Sequence, residues 1–286
     1  MTDEIAKFEE QLFDVFGIKA RQLPFGTNIC AEHIMLTDNL RSIELKLSLA
    51  VRHAQFAVLT GQPGTGKSTL LRHFASQVAD PETVIIYLAE SGLTPRWFYA
   101  KSLEALGLEA KFYRGDSKHI MQAKIKDLVQ SGRKVCLLVD EGHLLNSECC
   151  NEVRFCLNFG SCDGSGGYDS SSLVSVILAG QPELWTRLNR AENRAITQRI
   201  DYVCQTVNLT AEETSRYIRL RLDDVGCEAD VFTEDAQAGI YETSGGCMRI
   251  INKICAHAML YSALQKKATI DRDLISQVVS QELPQY

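Results

Sequence analysis

One glycine-rich segment constrains the fold of this chain more than any other feature of its sequence. The segment GQPGTGKS (61–68) follows the apolar run FAVLT (56–60) and precedes TLLRHFASQV (69–78), in which apolar residues recur at helical spacing. Such a turn lets consecutive backbone N–H groups converge on an anion, and the new helix adds the positive end of its dipole. The segment therefore predicts a phosphate-binding loop at a strand-to-helix corner.

The spacing within this loop indicates its ligand. It fits G-x-x-x-x-G-K-[ST], in which the lysine reaches the β- and γ-phosphates and the hydroxyl ligates Mg²⁺. We therefore expect ATP and Mg²⁺ to bind here, the alternative being a glycine-rich turn without a ligand. Ser68 is the predicted metal ligand, and Thr69 is placed to support the neighbouring phosphate. The residues predicted to hold the nucleotide are Gly61, Gly64, Thr65, Gly66, Lys67, Ser68 and Thr69.

Two acidic residues follow a second apolar run. VCLLV (135–139) is too short to span a membrane and fits a central parallel strand, and Asp140 and Glu141 come directly after it. Polar side chains at the carboxyl end of such a strand face the crevice where α/β sheets bind ligands. Asp140 is therefore predicted to hold Mg²⁺ and Glu141 to polarise the attacking water. Taken alone, the pair could equally cap a helix.

Four further polar residues are candidates for the same site. Gln181 follows the run LVSVIL (173–178) and could hydrogen-bond the γ-phosphate or the water, unless it is only the turn residue before a proline. Arg199 is predicted to act as an arginine finger on a neighbouring subunit's nucleotide, and Arg194 is the competing candidate. Arg249 begins a later helix, where it could report the nucleotide state. For each arginine the alternative is an ordinary surface cation.

The remaining pattern alternates strands with helices up to residue 207. An amphipathic helix and an extended segment (21–36) lead to a helix from about residue 37 to residue 55. Further strands are expected at 83–88, 173–178 and 203–207. Helices are expected after Thr94 and Pro95, after a cap at Ser117, and at 147–158, followed by a flexible loop at 160–172. This alternation predicts an α/β fold with a parallel sheet.

Past residue 208 the strand signal stops, and about four helices follow. They are predicted to begin at a capping box of Thr210 and Glu213, after Thr233, after Gly246 and near Asp271. We therefore predict three regions: an N-terminal helix and extended arm (1–36), an ATPase core (37–207) and a helical lid (208–286).

Charge and cysteine content restrict the class of protein. The formal net charge is −6, yet residues 96–134 hold nine basic and four acidic residues, a net +5, while residues 201–242 net −7. This uneven distribution of charge favours attraction of phosphates to one face of the protein or head-to-tail stacking of its copies. The 10 cysteines lack metal or disulfide spacing, and neither a signal peptide nor a membrane span is evident. A cytoplasmic protein with reduced thiols and no membrane partner is expected.

Together these motifs resemble those of an AAA+ ATPase. The phrases LLVDEGHLL, LAGQPEL, ITQRI and SGGCMRIIN are similar to the ExeA-like branch, which includes secretion-associated ATPases and TnsC/TniB-type regulators of DNA transposition. The resemblance implies a three-layer P-loop NTPase core with a five-stranded sheet of order 5-1-4-3-2, a four-helix lid, and assembly into rings or filaments. It gives the residues discussed above the same roles, with the finger supplied in trans. Gly142 departs from the alanine common in the branch and is expected to loosen the turn.

Within this branch we favour the transposition regulators. Secretion-type members usually continue into a membrane span and a cell-wall-binding domain, whereas this sequence stops at Tyr286, and the form DE-x-H-L-L (140–145) is common in transposition-type members. The resemblance then implies a homo-oligomer on duplex DNA, bound through the backbone without sequence preference. Hydrolysis would disassemble it after it recruits a transposase or a target-selection protein. The alternatives are a secretion-associated ATPase and a nucleotide-gated assembly factor that binds only protein.

The basic stretch supplies candidates for the DNA contacts. Two of its cations lie on the helix after the second strand and two on the next helix, so a ring could present them to its pore. Taken singly, each is more simply an ordinary solvated helix residue. These candidates are Arg96, Lys101, Lys118 and Lys124.

Overall fold

The computed structural model describes residues 2–26, 33–78, 81–90, 92–157 and 172–283, and these residues form two compact units. One unit comprises Asp38–Pro63 and Lys67–Thr206, and the other comprises Met1–Thr37, Gly64–Gly66 and Val207–Tyr286. The flexible loop predicted at 160–172 lies, except for its last residue, outside the described residues, as does part of the predicted arm (27–32). The predicted domain boundaries stay a prediction.

A five-stranded parallel sheet forms the middle of the first unit. Its strands are β1 (Phe56–Thr60), β2 (Thr83–Leu88), β3 (Lys134–Val139), β4 (Ser175–Gly180) and β5 (Tyr202–Gln205). The order is β2-β3-β4-β1-β5 and all pairings are parallel, which confirms the predicted fold class and strand order. β1 and β4 are buried at every residue, as their unbroken apolar runs require of central strands covered on both faces.

Helices cover this sheet. They are α2 (Asp38–Arg52), α3 (Lys67–Val78), α4 (Pro95–Ala105), α5 (Arg114–Gln130), α6 (Ser147–Cys156), α7 (Pro182–Leu188) and α8 (Arg194–Thr197), with short 3₁₀ turns at Gly142–Leu144 and Ala191–Asn193. The apolar faces of α4, α5 and α6 pack against β2, β3 and β4 in one continuous hydrophobic core. Thr94 caps α4 as predicted, its side chain accepting a hydrogen bond from the Trp97 N–H.

Three predicted boundaries are corrected by the structure. β4 begins two residues later than predicted, because pairing with β3 starts opposite Ser175 and the apolar residues before it lie outside the ladder. β5 ends at Gln205, two residues earlier than predicted. Ser117 does not cap α5, which begins at Arg114; its hydroxyl instead accepts a hydrogen bond from the Lys111 N–H from within the helix.

The second unit is helical. It contains α1 (Thr2–Phe16), α9 (Ala211–Asp223), α10 (Glu234–Ser244), α11 (Met248–Leu264) and α12 (Arg272–Glu282). The predicted capping box is present, since Thr210 accepts from the Glu213 N–H while the Glu213 carboxylate accepts from the Thr210 N–H. Apolar residues of α1 share one core with those of α9 to α12.

The cysteines in the described part of the chain belong to its core. Eight cysteines lie within the described residues, and all eight are buried. Burial raises the pKa of the Cys136 thiol to about 12, so this side chain is an unreactive part of the core. In the same residues, no helix combines the length and apolarity needed to cross a membrane.

Candidate functional site

The phosphate-binding loop joins β1 to α3 as the sequence predicts. Gly64 and Gly66 adopt φ angles of 86° and 84°, which side chains with a Cβ rarely adopt. Lys67, the first residue of α3, is 7% exposed. Its Nζ donates hydrogen bonds to the carbonyl oxygens of Gly61 at 2.6 Å and Gln62 at 2.9 Å. The lysine is therefore held inside the loop and aligned with it.

The other predicted loop residues occupy adjacent positions. Ser68 and Thr69 are the second and third residues of α3, at the end where its dipole is positive, and Thr65 is buried in the turn. The Ser68 hydroxyl and the Asp140 carboxylate are both oxygen donors, which suit Mg²⁺ bound together with nucleotide phosphates. The donor chemistry thus fits the expected ATP and Mg²⁺.

Asp140 lies directly after β3 and is held by its neighbours. Its backbone N–H donates to the Leu88 carbonyl at 2.8 Å, continuing the ladder with β2. Its Oδ1 accepts from the Glu141 N–H at 2.8 Å, and its Oδ2 accepts from the Tyr87 hydroxyl at 3.4 Å. The carboxylate is buried, so its direction at the end of the strand is fixed by these contacts.

Glu141 begins a sharp turn. It has a φ of 52°, in the left-handed region that costs a residue with a side chain about 1 kcal/mol or more. Its Oε2 lies 3.4 Å from His143 Nδ1, and the same Nδ1 lies 3.4 Å from the backbone N–H of Gln181. One ring nitrogen cannot donate to the carboxylate and accept from the amide together, so the proton position selects between the two partners. His143 thereby links the predicted water-polarising residue to the end of β4.

Gly142 allows this turn to approach β4 closely. A Cβ at this position would lie 2.5 Å from Leu178 Cδ1 and 3.1 Å from the Ala179 carbonyl oxygen. The expectation that this glycine loosens the turn is therefore wrong, because the absence of a side chain is what lets the turn pack tightly on the strand.

Sheet order brings three predicted features to one edge. β3, β4 and β1 are adjacent and parallel, with Val139 opposite Leu178 and Gly180 opposite Thr60. Asp140, Gln181 and the phosphate-binding loop therefore all follow carboxyl ends of neighbouring strands. Gln181 is also the residue before α7, with no side-chain capping bond to that helix. The amide side chain is not used as a cap.

The arginines are placed differently. Arg194 begins α8 and Arg199 follows it. Both are exposed, and Arg199 donates a hydrogen bond to the Leu157 carbonyl at 3.5 Å.

Arg249 is the second residue of α11, in the helical unit that also contains Gly64–Gly66. Its backbone N–H donates to the Gly64 carbonyl at 3.3 Å, and a Cβ on Gly64 would lie 2.7 Å from Arg249 Cβ. Position 64 therefore requires glycine for two reasons, its positive φ angle and the close approach of Arg249.

Sequence reasoning missed Tyr87 and the linking role of His143. Burial raises the pKa of the Tyr87 phenol, and the adjacent Asp140 raises it further, so this hydroxyl remains a hydrogen-bond donor to the carboxylate. The sequence offered one signal for Tyr87, namely its position one residue before the end of the strand that adjoins VCLLV. For His143 the signal was its position two residues after the glutamate.

The predicted DNA-contacting cations are mostly engaged with other side chains. Lys101 lies 3.1 Å from Glu90 and 3.0 Å from Glu104, and hydrogen bonds to these carboxylates raise its pKa, that to Glu104 contributing more. Lys118 lies 3.5 Å from Glu152. Among the residues that the structure describes, no carboxylate lies within 4.0 Å of the Lys124 amino group on α5 or the Arg96 guanidinium on α4. The four residues therefore do not form a uniform set of free cations.

Comparisons with known proteins agree with this geometry. The family model described as AAA domain matches residues 51–188, which include the phosphate-binding loop, Asp140, Glu141 and Gln181. General secretion pathway protein A of Aeromonas hydrophila is 30% identical over 209 residues, which make up 72% of this chain and 36% of that protein. The chain therefore spans about a third of the length of this relative. The predicted similarity to the secretion-associated members is confirmed, whereas similarity to transposition regulators stays a prediction.

Solved structures with the same fold include two archaeal proteins. The Aeropyrum pernix ORC2 protein in ADPNP–ADP complexes superposes with a TM-score of 0.67 and 14% identity, covering 92% of this chain and 72% of that one. The Aeropyrum pernix ORC1 protein in complex with DNA gives 0.63 and 15%, covering 86% and 66%. At such identities the likeness shows the fold alone. The chain thus has a P-loop NTPase fold, and its residues 51–188 match the AAA domain family.

Proposed function

We propose that this chain hydrolyses ATP as part of a homo-oligomer that assembles on duplex DNA and regulates DNA transposition. One observation carries the enzymatic part: the lysine-bearing loop, the Asp140–Glu141 pair and Gln181 follow neighbouring parallel strands at one edge of the sheet. Recruitment of a transposase or a target-selection protein completes the proposal.

Each residue of this edge has a distinct task in the proposed reaction. Lys67 would exchange the carbonyl oxygens of Gly61 and Gln62 for phosphate oxygens, which carry more negative charge. Ser68 and Asp140 would hold Mg²⁺, which when bound neutralises charge on the transferring phosphate. Glu141 would orient and polarise the attacking water while His143 Nδ1 fixes its carboxylate.

Gln181 at this edge and two arginines outside it would complete the ATPase. Gln181 would hydrogen-bond the γ-phosphate or the water, and Arg249 would sense the nucleotide from α11. Arg199, exposed after α8, would reach a neighbouring subunit's nucleotide as an arginine finger. Such a division of the site between subunits makes hydrolysis depend on assembly.

Two observations support DNA as the partner. Residues 96–134 carry a net +5 in a chain whose net charge is −6, which suits backbone phosphates without base recognition. A protein of the same fold, the Aeropyrum pernix ORC1 protein, is described in complex with DNA.

A second candidate is a secretion-associated ATPase. It is favoured by the 30% identity to General secretion pathway protein A, although this chain covers only 36% of that protein. A nucleotide-gated switch that binds only protein is the remaining alternative. These candidates share the ATPase chemistry and differ in whether plain duplex DNA is a ligand.

Binding of a labelled duplex of arbitrary sequence separates them. With a non-hydrolysable ATP analogue at low salt, fluorescence anisotropy should show binding that weakens as salt rises, and mass photometry should show oligomers on the duplex. Arg96→Ala and Lys124→Ala should each reduce the slope of log K against log salt by about 1. Lys101→Ala should reduce it less, because Glu90 and Glu104 already partly neutralise that lysine.

Lys7→Ala on α1 is the matched control and should leave the slope unchanged, since α1 lies outside the basic stretch. Absence of duplex binding at low salt would overturn the transposition proposal and leave the protein-binding alternatives.

A further inference from the structure

The exposed aromatic side chains of this protein are concentrated in one region. Within residues 2–26, 33–78, 81–90, 92–157 and 172–283, four aromatic side chains are exposed, and all lie on α4, α6 or the residues just before α5. Large aromatic rings are usually mostly buried, so their clustering at the surface indicates a binding site. The exposed fractions are Trp97 57%, Phe112 73%, Tyr113 69% and Phe155 38%.

Cations lie over two of these rings, Phe112 and Phe155. The Arg96 guanidinium is 5.1 Å from the centroid of Phe112, and Lys118 Nζ is 3.7 Å from the centroid of Phe155. Arg154 lies 5.6 Å from the same Phe155 ring. We name these residues, together with Arg114, the aromatic–cationic surface: Arg96, Trp97, Phe112, Tyr113, Arg114, Lys118, Arg154 and Phe155.

A buried carboxylate holds two of the cations in place. Glu152 is 5% exposed, and its Oε2 accepts a hydrogen bond from the Tyr99 hydroxyl at 2.6 Å. Arg114 Nη1 lies 3.5 Å from its Oε1, and Lys118 Nζ lies 3.5 Å from its Oε2. Because this carboxylate is buried, it orders the two cations and makes no direct contact with a ligand, although its charge partly offsets theirs.

Phe112 and Tyr113 form a pair of neighbouring exposed rings. The centroids of Phe112 and Tyr113 are 5.2 Å apart with the planes at 90°, so each ring keeps a face free of the other. An exposed ring face can stack with a nucleobase, and an adjacent cation can contact the phosphate that follows. Paired bases inside a duplex do not offer their faces in this way.

We propose that the aromatic–cationic surface binds single-stranded DNA by stacking unpaired bases on Phe112, Tyr113 and Phe155. The alternation of exposed rings with fixed cations, in a stretch of net +5, is the observation that carries this assignment. It rests on the proposed function only in the choice of DNA over RNA, and it does not depend on ATP hydrolysis. The surface would capture strands opened next to a bound duplex.

The direct test is the affinity of the whole chain for labelled oligo-dT, measured by anisotropy beside a hairpin duplex of equal charge and an oligo-rU. Phe112→Ala, Tyr113→Ala and Phe155→Ala should each weaken oligo-dT binding at least about fivefold, the effect expected from removing one stacking ring. Duplex binding and ATP hydrolysis by these variants should stay unchanged, which separates this proposal from the proposed function.

Conservative variants distinguish stacking from apolar contact. Phe112→Trp keeps an aromatic face and should retain oligo-dT binding, whereas Phe112→Leu keeps an apolar side chain and should lose it. Leu45→Ala removes an exposed apolar side chain from α2 and should have no effect.

Three results would overturn the inference. Wild-type affinity of Phe112→Leu for oligo-dT would show that stacking is not used and favour a protein partner. Equal loss of duplex and oligo-dT affinity in the alanine variants would show a duplex surface instead. Oligo-rU binding as tight as oligo-dT binding would contradict the assignment to DNA.

Discussion

The strand ends that carry Asp140, Glu141 and Gln181, which belong to the nucleotide corner, lie in the same unit as the aromatic–cationic surface, and the two regions are organised by different physics. At the corner, Asp140 and Gln181 follow the ends of parallel strands, and their positions are set by the sheet. On the aromatic–cationic surface, helices from separate parts of the chain supply the residues, and Glu152 on α6 orders Arg114 and Lys118 on α5.

This difference explains what substitutions in each region should do. The corner is close-packed backbone, where even one added methyl group meets other atoms. The helical surface is built from side chains over open solvent, where single changes alter binding or local hydrogen bonds.

The largest effect concerns Arg199, which follows α8 and which we propose to act on the nucleotide of a neighbouring subunit. Arg199→Ala should lower ATP hydrolysis about 10³-fold while leaving nucleotide binding intact, because a finger stabilises charge in the transition state. Arg194→Ala is the matched control and should hydrolyse at close to the wild-type rate.

Mixing variants tests whether this arginine acts between subunits. Subunits with Arg199→Ala retain an intact corner, and subunits with Glu141→Gln retain the finger, so a mixture should regain part of the activity that each lacks. A mixture as inactive as its components would contradict action in trans, and a defect in Arg194→Ala alone would make Arg194 the finger.

The same methyl group should have opposite effects in the two regions. Gly142→Ala should lower the free energy of unfolding by about 1–3 kcal/mol, because the Cβ would lie 2.5 Å from Leu178 Cδ1. In Gly115→Ala on α5, no atom lies within 4 Å of the added Cβ. This variant should raise the free energy of unfolding by about 0.5–1 kcal/mol. Urea unfolding of both variants measures this, and equal effects would contradict the distinction between close-packed turn and open helix.

A smaller effect is expected below the aromatic–cationic surface. Tyr99→Phe removes the hydroxyl that donates to Glu152 and should cost about 1–2 kcal/mol of unfolding free energy. Burial, and then the hydrogen bond to Glu152, raise the pKa of Tyr99 above 10.0. Its proton therefore stabilises the fold fully below about pH 10, and this contribution falls as pH rises further.

Unfolding curves at rising pH check this assignment. The wild-type chain should lose stability above pH 10 more steeply than Tyr99→Phe, so the difference between the two should shrink there. A difference that stays constant with pH would show that the phenol contributes only packing.

Much of the fold could be predicted because its determinants are local. The run VCLLV followed by two acids, and the glycine pattern before Lys67, each specify an element and the residue at its end. β4 was predicted two residues early because Leu173 and Val174 are apolar but unpaired, and only the register with β3 shows where pairing begins. Ser117 was mistaken for a cap because its residue type suits one, although α5 begins earlier.

The parts that could not be predicted depend on contacts between distant residues. The tight fit of Gly142 requires Leu178, and the Tyr87 hydroxyl reaches Asp140 only because β2 pairs with β3. Counting charges found the basic stretch, yet it could not show that Lys101 and Lys118 face carboxylates. The clustering of exposed rings likewise appears only once α4, α5 and α6 are packed.

We propose that the corner formed by the phosphate-binding loop and Glu141 hydrolyses ATP. The most direct measurement compares nucleotide affinity with hydrolysis for Glu141→Gln, which keeps the shape of the side chain and removes its charge. We predict wild-type ATP affinity with hydrolysis lowered about 10²–10⁴-fold. Hydrolysis at the wild-type rate by this variant would contradict the account.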